Sequence, residues 1–238
     1  MPTPSAYDRL GPLYDEWSRS VTEDIAFYVD VALEGSGRVL EVGCGSGRVA
    51  IPLVLAGLEV VGIDSSPGML RLAREKAAVH GVSLELVQAD MRAIPELGTF
   101  ATAVIPFRAL LHLRDDAERL AVLCRLRELL EPAGTLAFDV FHPDRLDIAE
   151  TQDRWIEREP GILEHAHWDA ASRELELSVH ARGVEAWMHL WWADPEDWRR
   201  LLEAAGFADI EGFGWFDRRP LEPGSTDSVW VARGARHR

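Results

Sequence analysis

The chain of 238 residues has little lysine and little cysteine: Lys76 is the only lysine, and Cys44 and Cys124 are the only thiols. Two cysteines so far apart, one in a glycine turn and one on an apolar helical face, exclude a disulfide scaffold and fit packing residues in a reducing, cytoplasmic setting. No apolar run reaches the length of a bilayer span, which removes a membrane partner. The opening Met1-Pro2-Thr3-Pro4 lacks the charged and then apolar pattern of a secretory leader. Positive charge is scarce as well: 25 basic against 40 acidic residues leave a formal net charge of -15. That balance excludes a duplex nucleic acid as partner, because its phosphates would be repelled. Repeats, low-complexity tracts and flexible interdomain linkers are also missing. Hydrophobic residues are plentiful, at 47%, enough for a sizeable core in one α/β domain carrying an insertion.

The chain is organised around Val39-Leu40-Glu41-Val42-Gly43-Cys44-Gly45-Ser46-Gly47-Arg48. Val39, Leu40 and Val42 read as a buried strand. Gly43, Gly45 and Gly47 supply backbone that can take positive φ and admit a ligand closely. Ser46 reads as the N-cap of a following helix. A strand, a glycine turn and a helix N-terminus suit the polar part of a nucleoside cofactor. The glycines are spaced G-x-G-x-G, not G-x-G-x-x-G, and Glu41 inside the strand would repel a pyrophosphate but suits a cationic amino group.

This E-x-G-x-G-x-G run resembles the first motif of the class I S-adenosylmethionine (SAM) dependent methyltransferases, in which the turn lies beside the methionine part of SAM. The resemblance implies a place near that zwitterion for Glu41, Gly43, Cys44 and Gly45. The next strand, Glu59 to Asp64, ends in an acid about twenty residues beyond the glycines, the separation at which a carboxylate takes both ribose hydroxyls. Ser65-Ser66-Pro67 then opens a helix with Ser66 as cap and Pro67 in its first position. By resemblance Ser65 borders the ribose and Met69 contacts adenine. In the third element, Leu84 to Met91, the resemblance gives Asp90 the exocyclic amine of adenine and Met91 a backbone contact to the ring. The fourth strand, Thr99 to Pro106, brings Ile105 to the edge where the methyl group is presented. It is not followed by the D/N-P-P-Y sequence of the amino methyltransferases of DNA bases and protein glutamine, which argues again for a small-molecule acceptor.

His112 follows that strand and is the candidate general base, with a pKa near working pH; the alternative is that it only packs or orients the cap. Arg108, Asp139 and His142 lie near the same edge, as candidate acceptor contacts or as plain surface and capping groups. Two Tyr-Asp pairs, Tyr7-Asp8 and Tyr14-Asp15, resemble the helical cap that opens many small-molecule methyltransferases; Tyr14 would approach SAM, or both rings would merely anchor the cap.

After the fifth strand, Thr135 to Phe141, the strand-helix rhythm breaks. Residues 154–192 read as three antiparallel strands, Ile162 to Trp168, Glu174 to Ala181 and Glu185 to Trp192, rich in tryptophan. Trp187, His189 and Trp191 alternate onto one face, as pocket wall, lid core or dimer contact. His165, His167 and His180 invite a metal reading, but no third ligand is visible at a usual spacing, so no metal is expected.

The expectation is therefore a Rossmann-like seven-stranded, mostly parallel sheet flanked by helices, with a small inserted antiparallel β lid. Residues 1–35 form a helical cap, 36–150 the SAM-binding core, 151–193 the lid, and 194–238 the closing helix and strand hairpin. The expected activity is methyl transfer from SAM to an O or N nucleophile of a small molecule, with the lid sheet a candidate homodimer contact. A SAM-binding protein without turnover stays open, and an NAD-dependent oxidoreductase is disfavoured by the third glycine and Glu41.

Overall fold

Strand formation at Val39–Val42 sets the two faces of the main sheet. Leu40 and Val42 point into one buried layer and Val39 into the other, the two-residue period of a strand covered on both sides. The computed structural model describes residues 6–235; the reading of Met1-Pro2-Thr3-Pro4 falls outside them.

In chain order, Ala6–Leu10 (α1), Tyr14–Trp17 (α2) and Glu23–Gly35 (α3) precede Val39–Val42 (β1). Then come Ala50–Leu55 (α4), Val60–Asp64 (β2), Pro67–Val79 (α5), Glu85–Gln88 (β3), Phe100–Ile105 (β4), Asp116–Leu129 (α6), Leu130–Phe141 (β5) and Arg145–Thr151 (α7). Arg154–Glu159 (β6), Ile162–Asp169 (β7), Glu174–Ala181 (β8) and Val184–Trp191 (β9) follow, and Pro195–Ala204 (α8), Phe207–Phe213 (β10) and Asp227–Gly234 (β11) close the chain. The main sheet has the order β10-β11-β5-β4-β1-β2-β3, and only β11 runs against its neighbours. The order reverses at β1 and β4, the place where an open α/β sheet leaves a crevice at its carboxyl edge.

The inserted sheet has four strands, β6-β7-β8-β9, not the three expected. β6 escaped the sequence reading because Arg-Trp-Ile-Glu-Arg-Glu carries four charges, as an edge strand facing solvent does. Helix α7 packs on β6 and β7. A second difference concerns Ser46. The helix after the glycine turn starts only at Ala50, with Val49 at the N-cap and no side-chain cap. Ser46 instead donates its hydroxyl to Asp15 (2.6 Å) and accepts from Lys76 Nζ (3.0 Å), fastening the cap to the turn.

Cap and lid are tied to each other over the carboxyl edge of the main sheet. Trp17 Nε1 donates to Glu164, Arg182 forms a two-pronged pair with Glu16 (2.6 and 3.0 Å), the Ser20 N–H donates to Glu159 (3.1 Å), and Arg9 lies 5.7 Å over the Trp187 ring. Among the described residues no helix is long and apolar enough to cross a membrane.

Candidate active site

β1 and β2 end side by side because they pair in register, Val42 opposite Ile63. The chain then turns through Gly43 (φ 70°) and Gly45 (φ 52°), left-handed positions where an L side chain is strained. At Gly45 a Cβ would also stand 3.2 Å from Met69 Cε, so the glycine keeps the floor of the crevice open. The Gly45 N–H donates to one Asp64 oxygen (2.9 Å) and the Ser66 N–H to the other (2.8 Å). Each oxygen of Asp64 therefore keeps a lone pair for an incoming hydroxyl. Burial holds the Asp64 pKa above the ordinary carboxylate range, opposed by those two N–H donors.

A cavity of about 370 Å³ opens above this turn. Of the twelve residues expected to touch the cofactor or serve as base, nine lie on its wall: Tyr14, Gly43, Gly45, Asp64, Ser65, Met69, Asp90, Met91 and His112. Three do not. Glu41 shares the β1 face of Val39, directed to the layer of α3 and α4, and is 2% exposed. Its Oε2 has no hydrogen-bond partner, and burial raises its pKa to about 8, partly offset by Arg48. Cys44 is buried toward Gly62, where its sulfur would meet an added Cβ at 2.8 Å. Ile105 is fully buried in the core beneath the edge, and it is the next residue, Pro106, that reaches the cavity. Asp90 is half-exposed and caps a short 3-10 turn by accepting the Arg92 N–H (2.8 Å).

The two Tyr-Asp pairs divide their labour. Asp8 accepts from Ser66 and from the Gly68 N–H (3.2 Å), and Asp15 accepts from Ser46 and Lys76. Their tyrosines turn inward, with ring centres 6.0 Å apart, and both phenols are pushed well above their usual range by burial. Tyr7 was read from sequence only as an anchor, yet it lines the cavity, and the repeated pair was the signal for it.

A second cavity, about 350 Å³, lies between the main sheet edge and the lid. Tyr7, Phe107, His112 and Met188 border both cavities and so form the wall between them. His112 Nε2 is 2.8 Å from Tyr7 Oη. Burial, with Arg92 adding to it, lowers the His112 pKa to about 4, and a hydrogen bond to the His189 backbone opposes the shift. The ring is thus neutral at pH 7. With His189 as acceptor for Nδ1–H, Nε2 is the lone-pair nitrogen and receives the Tyr7 hydroxyl hydrogen, an assignment made from the network.

The remaining candidates separate. Arg108 lines the second cavity but is paired with Asp227 (2.7 Å) and stacked over Phe141 at 5.3 Å. Asp139 is buried and accepts the Tyr28 hydroxyl (2.6 Å) and the Phe107 N–H (2.8 Å); burial raises its pKa to about 6. His142 lies in a separate surface hollow beside α8. Trp187, His189 and Trp191 line the first cavity, while Trp168 lines the second; in the core Trp230 stacks on Phe138 and Trp198 packs against it at a tilt. His165 and His180 pack on Trp155, and His167 binds Asp153 (2.7 Å). Among the described residues no group of three or more His, Cys, Asp or Glu is placed to hold a metal ion.

Residues 39–134 match the family model described as a methyltransferase domain. A putative methyltransferase of Geobacillus sp. (strain WCH70) is 33% identical over 144 residues, 59% of this chain and 57% of that protein. The chain thus spans little more than half the length of the first curated relatives it matches. The CcbJ methyltransferase of Streptomyces caelestis superimposes with a TM-score of 0.85 at 27% identity, over 98% of this chain and 99% of that one. The SAM-bound amino pentose methyltransferase CalS10 of Micromonospora echinaspora shares the fold at a TM-score of 0.67 and 22% identity, over 94% and 95% of the two chains.

Proposed function

Since residues 39–134 carry a methyltransferase domain, and the whole chain has the fold of the class I SAM-dependent methyltransferases, we propose that this protein moves a methyl group from SAM to an oxygen or nitrogen nucleophile of a small molecule. One observation carries the reading: two cavities of similar size meet at a common wall on the carboxyl edge of the sheet, and the motif residues line only one of them.

The residues of the first cavity fit the cofactor. The spare lone pairs of Asp64 suit both ribose hydroxyls, the half-exposed Asp90 suits the adenine amine, and Met69 and Met91 suit the faces of the base. The left-handed glycines leave room for the methionine end, with Tyr14 above it. Glu41 lies behind the turn, buried with its Oε2 unpartnered; its raised pKa keeps it protonated near pH 7, and a cation at the turn would favour its ionised form.

Bound SAM supplies an electrophilic methyl on a sulfonium that leaves as a neutral thioether. The chain's part is to align, enclose and deprotonate. Alignment of two reactants contributes roughly 7–11 kcal/mol in favourable cases, which is why few reactive side chains are needed. Lid strand β9 contributes Met188 to the wall between the cavities, and the cap contributes Tyr7. At the wall, an acceptor hydroxyl or ammonium gives its proton to Tyr7 Oη as the Tyr7 proton passes to His112 Nε2.

Calorimetry with SAM and S-adenosylhomocysteine, followed by a screen of small metabolites for S-adenosylhomocysteine release, tests the proposal. Binding with turnover on a small acceptor is expected. Tight binding of NAD without SAM would falsify it, and SAM binding without turnover on any acceptor would favour a non-catalytic role.

A further inference from the structure

The second cavity is built asymmetrically. The lid strands alternate, so one face of each lines it: Ala166 and Trp168 from β7, Leu175 and Leu177 from β8, Met188 and Leu190 from β9. With Trp17, Phe107 and Phe141 opposite, most of the wall is apolar or aromatic. Its volume is in the range of small-ligand clefts, roughly 300–1,000 Å³.

The charged groups on this wall are not equivalent. All three acids are already engaged: Asp147 accepts the Asp144 N–H (3.1 Å), Glu164 accepts Trp17 Nε1, and Asp227 accepts from Arg108. The arginines of β6 are different. Arg154, Ile156 and Arg158 alternate onto the chamber side, and both guanidinium groups lie at its solvent-exposed mouth. Arg154 donates only to the Glu150 carbonyl (3.0 Å), and neither arginine has an ion pair among the described residues. In a chain of net charge -15, the wall of this chamber thus carries two arginines free of ion pairs, while its third, Arg108, is held by Asp227. Planar guanidinium forks match oxyanions, and their stems cover apolar surface.

We propose that the acceptor is an amphipathic anion: an apolar or aromatic body seated in the lid chamber, with its nucleophile at the Tyr7–His112 wall and a carboxylate or phosphate at Arg154 and Arg158. The inference rests on the methyl-transfer reading for the word acceptor, while the ligand chemistry rests on the chamber alone.

The test uses equilibrium binding to the full chain, with and without S-adenosylhomocysteine. The probes share one ring system: 2-naphthoate, 2-naphthyl phosphate, neutral 2-naphthamide and cationic 2-naphthylmethylammonium. The anions are expected to bind about tenfold tighter than the amide, and comparison of the two anions separates carboxylate from phosphate. Replacing both arginines, Arg154→Gln with Arg158→Gln, is expected to erase that preference and leave amide affinity unchanged. Both positions are exposed, so the variant should fold, and its thermal midpoint checks this. Equal affinities, a cationic preference, or an anionic preference that survives in the double variant would overturn the inference. Anion preference without methyl transfer to any acceptor would uphold the chamber chemistry and sink the enzymatic reading; turnover without anion preference would do the reverse.

Discussion

Replacing Asp64 by Asn separates two duties of one carboxylate. In the native turn its oxygens each accept one backbone N–H, from Gly45 at 2.9 Å and Ser66 at 2.8 Å. An asparagine offers one oxygen and one NH2, so one of the two N–H groups faces a donor and loses its partner. An unsatisfied buried donor costs about 1–3 kcal/mol, and in a chain of this size each kcal/mol lowers the melting midpoint by about 2–4 °C. Cofactor binding loses something further. A hydroxyl donating to a charged oxygen contributes about 1.5–3 kcal/mol, and the variant keeps at most one neutral acceptor for the two ribose hydroxyls. The loss converts to about 10- to 150-fold in affinity. Thermal unfolding of the free protein measures the first effect and calorimetry with S-adenosylhomocysteine the second. If the midpoint drops while the affinity holds, Asp64 is a staple of the glycine turn and nothing more, and the ribose assignment is wrong.

His112 and Asp24 yield two further expectations. Because burial lowers the His112 pKa to about 4, the unfolded chain takes up a proton near pH 6.5 that the native ring refuses, so this contribution is complete above 6.5 and is lost as pH falls toward 4. Urea titrations at pH 7 and pH 5 should show that dependence weakened in His112→Asn. In turnover, the acid limb of kcat/KM should sit near pH 4, and His112→Ala should lower kcat about 10²- to 10⁴-fold, far more than it weakens S-adenosylhomocysteine binding. Unaltered kcat removes His112 as proton acceptor. Asp24 is fully buried and holds Arg48 with two bonds, 2.8 and 2.6 Å. Asp24→Asn leaves the guanidinium without its counter-charge and should cost about 3–5 kcal/mol by urea unfolding, whereas Asp24→Leu with Arg48→Met should cost less than the single change. A single variant within about 0.5 kcal/mol of the parent contradicts that account, since this is the scale of an ordinary surface change.

What could be read from the sequence was chiefly local. Ser66 caps α5, accepting the Met69 N–H at 3.1 Å, because a short polar side chain next to a helix start has few other partners. The glycine turn and Asp64 were legible for the same reason: strand, turn and cap follow one another within a few residues. The failures involve partners far away in the chain. Ser46 looked like a cap, yet Asp15 and Lys76, 31 and 30 residues distant, compete for its hydroxyl. Glu41 occupies the expected motif position, but the period of β1 sends its side chain to Arg48 and Asp24, away from the cavity. Strand β6 has no apolar period to detect, since its pattern answers to a sheet edge and a chamber mouth. Tyr7 reaches His112 across 105 residues, a contact that no local pattern announces.

The wall between the cavities owes its position to strain held from several directions. Phe107 (φ 58°) and Arg108 (φ 61°) are consecutive left-handed residues without being glycine, a conformation that costs of order 1–3 kcal/mol at each position. Four elements oppose its relaxation. Asp139 on β5 accepts the Phe107 N–H and is itself held by Tyr28 from α3. The Phe107 ring is packed edge-on against Tyr14 at 6.1 Å and Trp17 at 5.7 Å from the cap, with the Arg48 guanidinium 5.1 Å above it. Arg108 is tied to Asp227 on β11. Cap and lid meet through Arg182–Glu16, Ser20–Glu159 and Arg9–Trp187 near solvent, contacts that contribute little individually, and through the part-buried Trp17–Glu164 bond and the packing of α1 on β9. The stiffness of the wall rests on Asp139, a buried acid on the wall of neither cavity, which holds the Phe107 backbone from below.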